Sequence, residues 1–221
     1  GDFTSSDDAV SMGIQASTHL DSLAHVGSDG LLYNGVSMST TDEAGSHEFG
    51  IETVGPIVSR GILLDIARLK GVDFFDENYA IGGDDLDAAA RMGGVEVKPG
   101  DIVCVRTGHM HWLNVGNKFH YSTPTPGLGQ KSIEWIRDND VAIVATDTIV
   151  FECYPPEDPE AMLPVHMINI RDIGLVQGQN WLLDPLAADC AADGQYEFLL
   201  VATPLPFTRV VGGPVAPTAI K

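Results

Sequence analysis

Two short apolar runs do most to limit what this chain can fold into. Ile102-Val103-Cys104-Val105 follows the turn signal Lys98-Pro99-Gly100-Asp101, and Val141-Ala142-Ile143-Val144-Ala145 ends in Thr146-Asp147. Each is short, rich in β-branched residues and bounded by polar ones, so each reads as a buried strand. Ile57 to Ile66 adds one or two strands near the core, and Tyr196 to Thr203 a late one. Helices are few. Asp84 to Met92 carries acids in its first turn, Arg91 in its last and Gly93-Gly94 behind it, which predicts a helix. Gly127 to Asp140 spaces Leu128, Ile133, Trp135 and Ile136 as an amphipathic helix that packs on a sheet. With 24 glycines and 13 prolines to supply turns, the pattern predicts an α/β fold. Its sheet is expected to be mixed and partly barrel-like, not a regular β-α-β wound domain. The length of 221 residues suits one core and no composition break divides it, so residues 1–221 read as a single domain.

A net charge of −19 leaves no basic surface to neutralise phosphates, so nucleic acid is not an expected partner and an anionic membrane is disfavoured. The acidity itself reads as solubility or a saline habitat. No stretch is long and apolar enough to span a bilayer. Cys104, Cys153 and Cys190 are odd in number and far apart, which suggests neither a disulfide framework nor a C-x-x-C site; Cys104 is expected in the core. Gly1 to Asp8 is polar, unlike a signal peptide, and the first residue is not Met, so an upstream segment is compatible with the chain. A cytoplasmic location is the default expectation. There is no glycine-rich phosphate loop and no G-x-S-x-G elbow.

Chemistry concentrates in Gln15-Ala16-Ser17-Thr18-His19-Leu20-Asp21-Ser22-Leu23-Ala24-His25. On extended backbone the side chains of His19 and Asp21 leave the same face and can converge on one point. An imidazole nitrogen beside a carboxylate oxygen suits zinc, manganese or iron. A turn after Asp21 would bring His25 near such a metal as a proton-transfer group. Spacing alone leaves a second reading open, a surface loop that contains two histidines. Elsewhere, His109 and His111 follow the strand at 102–108 and are expected to be a solvated pair, with a site role as the alternative. Ser37 to Gly50 reads as a mobile surface loop with a solvated His47, and His166 lies in an otherwise apolar run.

Ser17 to His25 resembles the signature of the cyclase family of metal-dependent hydrolases, which includes kynurenine formamidase, isatin hydrolase and trans-dienelactone hydrolase. The likeness continues through Gly55 to Asp65, Lys98 to Asp101, Arg106-Thr107-Gly108, Pro164-Val165-His166, Gln179 to Leu182 and Gly213 to Pro217. It implies a swivelling β/β/α-type fold and hydrolysis of cyclic or acyl amides or lactones. The family motif is H-x-G-T-H-x-D-x-x-x-H, and two departures from the formamidase pattern matter. Gln15 stands where it has histidine, and Gln179 where it has glutamate. Neutral glutamines supply no charge to offset a second cation, which favours one ion per subunit. This is similar to the isatin hydrolase branch, and the resemblance then implies His19, Asp21 and Gln179 as metal ligands, with Mn²⁺ first and Zn²⁺ as the alternative.

On the same resemblance His25 is the acid/base group and His166 contacts substrate. The expected activity is opening of an isatin-like lactam, with a lactone or aryl-formamide hydrolase as the alternative. A non-catalytic small-molecule binder is the non-enzyme alternative, which an intact His25 disfavours. The partner expected is a small-molecule substrate, in a pocket drawing on Trp112, Phe119 or Tyr121. A homodimer or larger homo-oligomer is also implied.

Overall fold

The computed structural model describes residues 1–221 and is built around one eight-stranded sheet. Its strands are β1 (His19–Asp21), β2 (Val58–Asp65), β3 (Ile102–Arg106), β4 (Ile143–Thr146), β5 (Val176–Gln179), β6 (Glu197–Val201), β7 (Gly212–Pro214) and β8 (Thr218–Ile220). They lie in the order β7-β1-β5-β4-β3-β2-β6-β8. The four central strands, β2 to β5, pair in parallel, and both flanks are antiparallel. The sheet curls into a half-barrel, so the expected mixed α/β architecture is present. Its parallel centre was not legible in the pattern of strands and helices.

The apolar runs are unbroken because the central strands are covered on both faces. Leu63, Ile102, Cys104, Ile143 and Ala145 point into one core, while Ile62, Leu64, Val103, Val105 and Val144 point into the other. Each buried leucine, isoleucine or valine among them contributes roughly 1.5–3 kcal/mol. Helix α1 (Gly83–Gly93) buries Leu86, Ala89 and Ala90 in the second core, a one-sided i, i+3, i+4 stripe. Asp85 reaches back to accept the Gly82 N–H, and Gly94 ends the helix at φ 65°, where an L side chain would be strained. Helix α2 (Ile133–Asp138) adds Ile136 to the same core. Helix α3 (Asp184–Asp193) packs Ala187 and Cys190 against the first.

Some boundaries differ from the sequence expectation. The helix expected over 127–140 is confined to α2 and a preceding tight turn, because Gly127–Leu128 is extended and pairs with Ala80–Ile81. A Cβ at Gly127 would sit 2.5 Å from the Phe151 carbonyl oxygen, so the residue is held by close backbone approach. Ile57 to Ile66 holds one strand, β2, which ends at Asp65 and runs into a helical turn at Ile66–Leu69 whose Arg68 N–H is bound by Asp65. Ser37 to Gly50 holds a small hairpin, Thr41–Asp42 with Gly45–Ser46, tied to the Arg209 carbonyl through Ser46. His47 is exposed there and pairs with Asp42 at 3.0 Å. All three cysteines are buried and free, Cys104 in the core as expected.

At the C-terminal ends of β3 and β4 a buried carboxylate closes the sheet. Asp147 accepts hydrogen bonds from the Thr107 N–H and hydroxyl and from the Gly108 N–H. Gly108, at φ 75°, then turns the chain inward. No helix of the chain is long and apolar enough to cross a membrane.

Candidate active site

The site grows out of the pairing of β1 with β5. His19 lies opposite Gln179 and Asp21 opposite Gln177. Alternation therefore sends His19, Asp21, Gln177 and Gln179 to one face, while Leu20 enters the first core. Leu20 faces Gly178 across the pair. A Cβ on Gly178 would come within 2.6 Å of the Trp181 indole nitrogen and 2.9 Å of the Ala145 Cβ. The Trp181 indole N–H donates to the His19 carbonyl at 3.3 Å, so this packing also anchors β1. Gly178→Ala is expected to destabilise the protein by about 1–3 kcal/mol through overpacking. Urea unfolding checks it, and an unchanged midpoint would mean the indole and Ala145 can yield.

His19 and Asp21 are buried, and the polar atoms that face each other have no hydrogen-bond partner. His19 Nδ1–H donates to the Ser17 carbonyl at 2.7 Å, which leaves the Nε2 lone pair directed away from that bond. Nε2 stands 3.4 Å from Asp21 Oδ1. Two lone-pair atoms at this separation repel unless a cation lies between them. Ligands each about 2.0–2.2 Å from one ion stand at about that separation. The pair therefore fits a bound metal, with the Ser17 carbonyl fixing the imidazole from behind, as such ligands require. No three His, Cys, Asp or Glu side chains are grouped to hold a metal by themselves. The side chain in closest contact with the Asp21 carboxylate is an amide.

Gln179 is that amide. Its Nε2 donates to Asp21 Oδ2 at 2.5 Å and reaches His166 Nε2 at 3.1 Å. The Gln177 amide nitrogen lies 3.4 Å from the same Asp21 oxygen. Oxygen and nitrogen of an amide exchange by a simple flip, so Gln179 can present either toward Asp21. Burial opposes ionisation of Asp21, and the imidazoles of His19, His25 and His166 draw its carboxyl below the usual range in so far as they carry protons.

The chain does turn after Asp21. The His25 N–H donates to the Ser22 carbonyl and the Ser22 hydroxyl accepts the Ala24 N–H, which folds His25 back over the strand. Its Nε2 lies 3.8 Å from Asp21 Oδ1, and the ring is 29% exposed, enough to meet a small molecule from outside. Burial pushes its pKa down, with Asp21 pulling the other way, so the ring is neutral and free to accept a proton at neutral pH.

His166 is also drawn into the cluster. It sits where the short helix Pro164–His166 passes into a wider π-type turn, Met167–Asp172. Glu152 accepts from His166 Nδ1 at 2.5 Å and from the Val165 and His166 N–H groups, which aims Nε2 at Gln179. All five residues named from the sequence, His19, Asp21, His25, His166 and Gln179, thus meet in one place. Glu152 and Gln177 were missed. Gln177 carries a recoverable signal, being two residues before Gln179 on one strand.

The H-x-H pair departs from its expected solvated state. His109 is fully buried, between the Phe75 and Tyr121 carbonyls at 3.3 and 3.2 Å. The turn at Gly108 lays this segment against Asp73 and Phe74, and His111 stacks on Phe74 at 4.0 Å. A cleft of about 510 Å³ opens beside Gln15 to Thr18 and includes Tyr121 and Asn180 in its walls. Trp112 packs on Phe74 and His120 instead, and Phe119 points into solvent.

A curled mixed sheet carrying a buried His-x-Asp pair on an edge-side strand defines the class of this protein. The family model described as "Putative cyclase" matches residues 3–153, and the chain belongs to that family. A solved structure described as a novel cyclase is 38% identical, with a TM-score of 0.91 over 99% of this chain and 74% of its own. An isatin hydrolase bound to the product analogue thioisatinate shares the fold at 18% identity, with a TM-score of 0.68 over 95% of this chain and 72% of its own. Isatin hydrolase A from Ralstonia solanacearum does so at 21% identity and a TM-score of 0.68, over 96% and 74% respectively. No curated protein matches the chain by sequence.

Proposed function

We propose that the chain is a metal-dependent hydrolase that opens a cyclic amide of the isatin type. One observation carries the reading. Two buried, unpartnered ligand atoms, His19 Nε2 and Asp21 Oδ1, face each other at 3.4 Å beside a half-open histidine. Isatin hydrolases sharing the fold support the substrate class.

His19 and Asp21 would hold one divalent cation, with the Gln179 oxygen turned toward it; Mn²⁺ suits this oxygen-rich set, and Zn²⁺ is the alternative. Such an ion, when bound, polarises a scissile carbonyl and lowers the pKa of a water. His25 takes the proton as the water oxygen bonds to the carbonyl carbon. It returns that proton to the ring nitrogen as the C–N bond breaks, leaving a carboxylate and an amine. His166, aimed by Glu152, donates or accepts a hydrogen bond at the substrate once Gln179 has turned away from it. Gln177 keeps a donor beside Asp21 Oδ2 throughout.

The test is direct. Protein stripped with a chelator should lose isatin turnover, followed as the fall in absorbance of the intact ring, and regain it with Mn²⁺. Full turnover in protein shown by elemental analysis to hold no metal would overturn the reading. Hydrolysis of a lactone or an aryl formamide but not isatin would keep the chemistry and change the substrate.

A further inference from the structure

The cleft beside the site carries an unusual charge for this molecule. The chain has 31 acidic and 12 basic residues, yet the cleft wall contains no carboxylate and one cation, Lys118. Arg60, Lys70, Arg106, Arg137, Arg171 and Lys221 each lie against an acidic side chain. Lys118 is one of the other six of the twelve basic residues, none of which lies within ion-pair distance of a carboxylate, and it alone of the twelve lines this cleft. It begins the short helix Lys118–Ser122, whose Tyr121 lines the same cleft and donates to Asn180 Oδ1 at 2.6 Å. Met110, Leu113, Ile149 and Leu182 supply apolar wall.

Gln15 and Thr18 join the cleft wall to the surroundings of the His19–Asp21 pair. A Cβ on Gly212 would lie 3.1 Å from Gln15 Nε2 and 3.5 Å from Asp21 Oδ1, so the two side chains approach the same point beside β7. Gln15 in turn belongs to the cleft wall, and its carbonyl accepts from the Asn180 amide. A molecule seated there meets apolar side chains, two asparagine amides and one free ammonium. In a strongly acidic protein, that ammonium is a local reversal of the field.

We infer that Lys118 selects a small, largely apolar substrate bearing an anionic group, a carboxylate above all, away from the bond that is cleaved. The inference builds on the proposed hydrolase reading but is tested apart from it. The probes are 2-naphthoate and its neutral counterpart 2-naphthamide, whose affinities for the purified protein are measured by calorimetry. The wild type should prefer 2-naphthoate. Lys118→Gln should cut that preference about fivefold, the size expected of a partly exposed charge pair, and Lys118→Glu should cut it further. The preference should also weaken in 1 M salt.

A kinetic arm uses N-formylanthranilate against formanilide, with KM for the anionic probe rising relative to the neutral one in the Lys118 variants. Equal affinities for the two naphthyl probes in the wild type, or a preference unmoved in both variants, would overturn the inference. Loss of the preference in a protein that hydrolyses nothing would leave the anion cleft standing and sink the hydrolase reading instead.

Discussion

Asp21→Asn is expected to give a protein that has lost turnover and yet, stripped of metal, unfolds at a higher temperature than the wild type. The reasoning starts from the orphaned pair. In the metal-free wild type a buried carboxylate oxygen faces an imidazole lone pair at 3.4 Å, and neither has a partner. An asparagine of the same shape keeps an oxygen to accept from Gln179 and turns an N–H toward His19 Nε2. One repulsion becomes one hydrogen bond, and a buried charge disappears. Satisfying such groups is worth about 1–3 kcal/mol. For a chain of this size that is roughly 2–4 °C of melting temperature per kcal/mol. Catalysis loses the anionic ligand at the same stroke. Scanning calorimetry in chelator and a turnover assay with Mn²⁺ read the two effects together. A lower melting temperature in chelator would show that the carboxylate is stabilised by the three imidazoles more than it is frustrated.

His25→Ala should behave in the opposite way, leaving the metal in place and removing the proton carrier. The ring sits 3.8 Å from Asp21 Oδ1 and is partly open to solvent, outside the buried pair. Its removal should lower kcat by about 10²–10⁴-fold, the usual weight of a general acid/base group. Metal content by elemental analysis should match the wild type. KM should change little, because the imidazole acts on the moving proton more than on bound substrate. A variant that also loses its metal would mean His25 is a ligand. A variant with near-normal kcat would hand the proton to another group.

Sequence carried the heart of the site because that heart is local. His19, Asp21 and His25 belong to one strand and one turn, so spacing alone brought them within reach. His166 and Gln179 were reached only through resemblance to a family, since nothing local to Leu163–Asn169 says that its histidine faces β5. Glu152 was invisible for the same reason. It lies 14 residues before His166 in irregular chain and meets it by the path of the backbone. His109 shows the converse failure. Read as part of a polar pair at a strand end, it is enclosed because Gly108 turns the chain onto Asp73 and Phe74, a contact across more than 30 residues. In the fold, β2, β3, β4, β6 and α1 were legible from apolar runs and caps, while β5, β7, β8 and α3, whose stretches are short or broken by glycine, proline and acidic residues, were not. The parallel order of the centre was not, because unbroken apolar runs report burial and not direction.

The place of β1 between β5 and β7 has a consequence for how the protein is made. The strand that bears His19 and Asp21 leaves the ribosome well before either of the strands it pairs with, at residues 176–179 and 212–214. Until both of those segments have been synthesised, β1 has neither partner strand and the His19–Asp21 pair has no sheet to sit in. Any ion the pair holds would therefore have to be taken up after those strands are in place, and could not serve as a nucleus around which β1 folds.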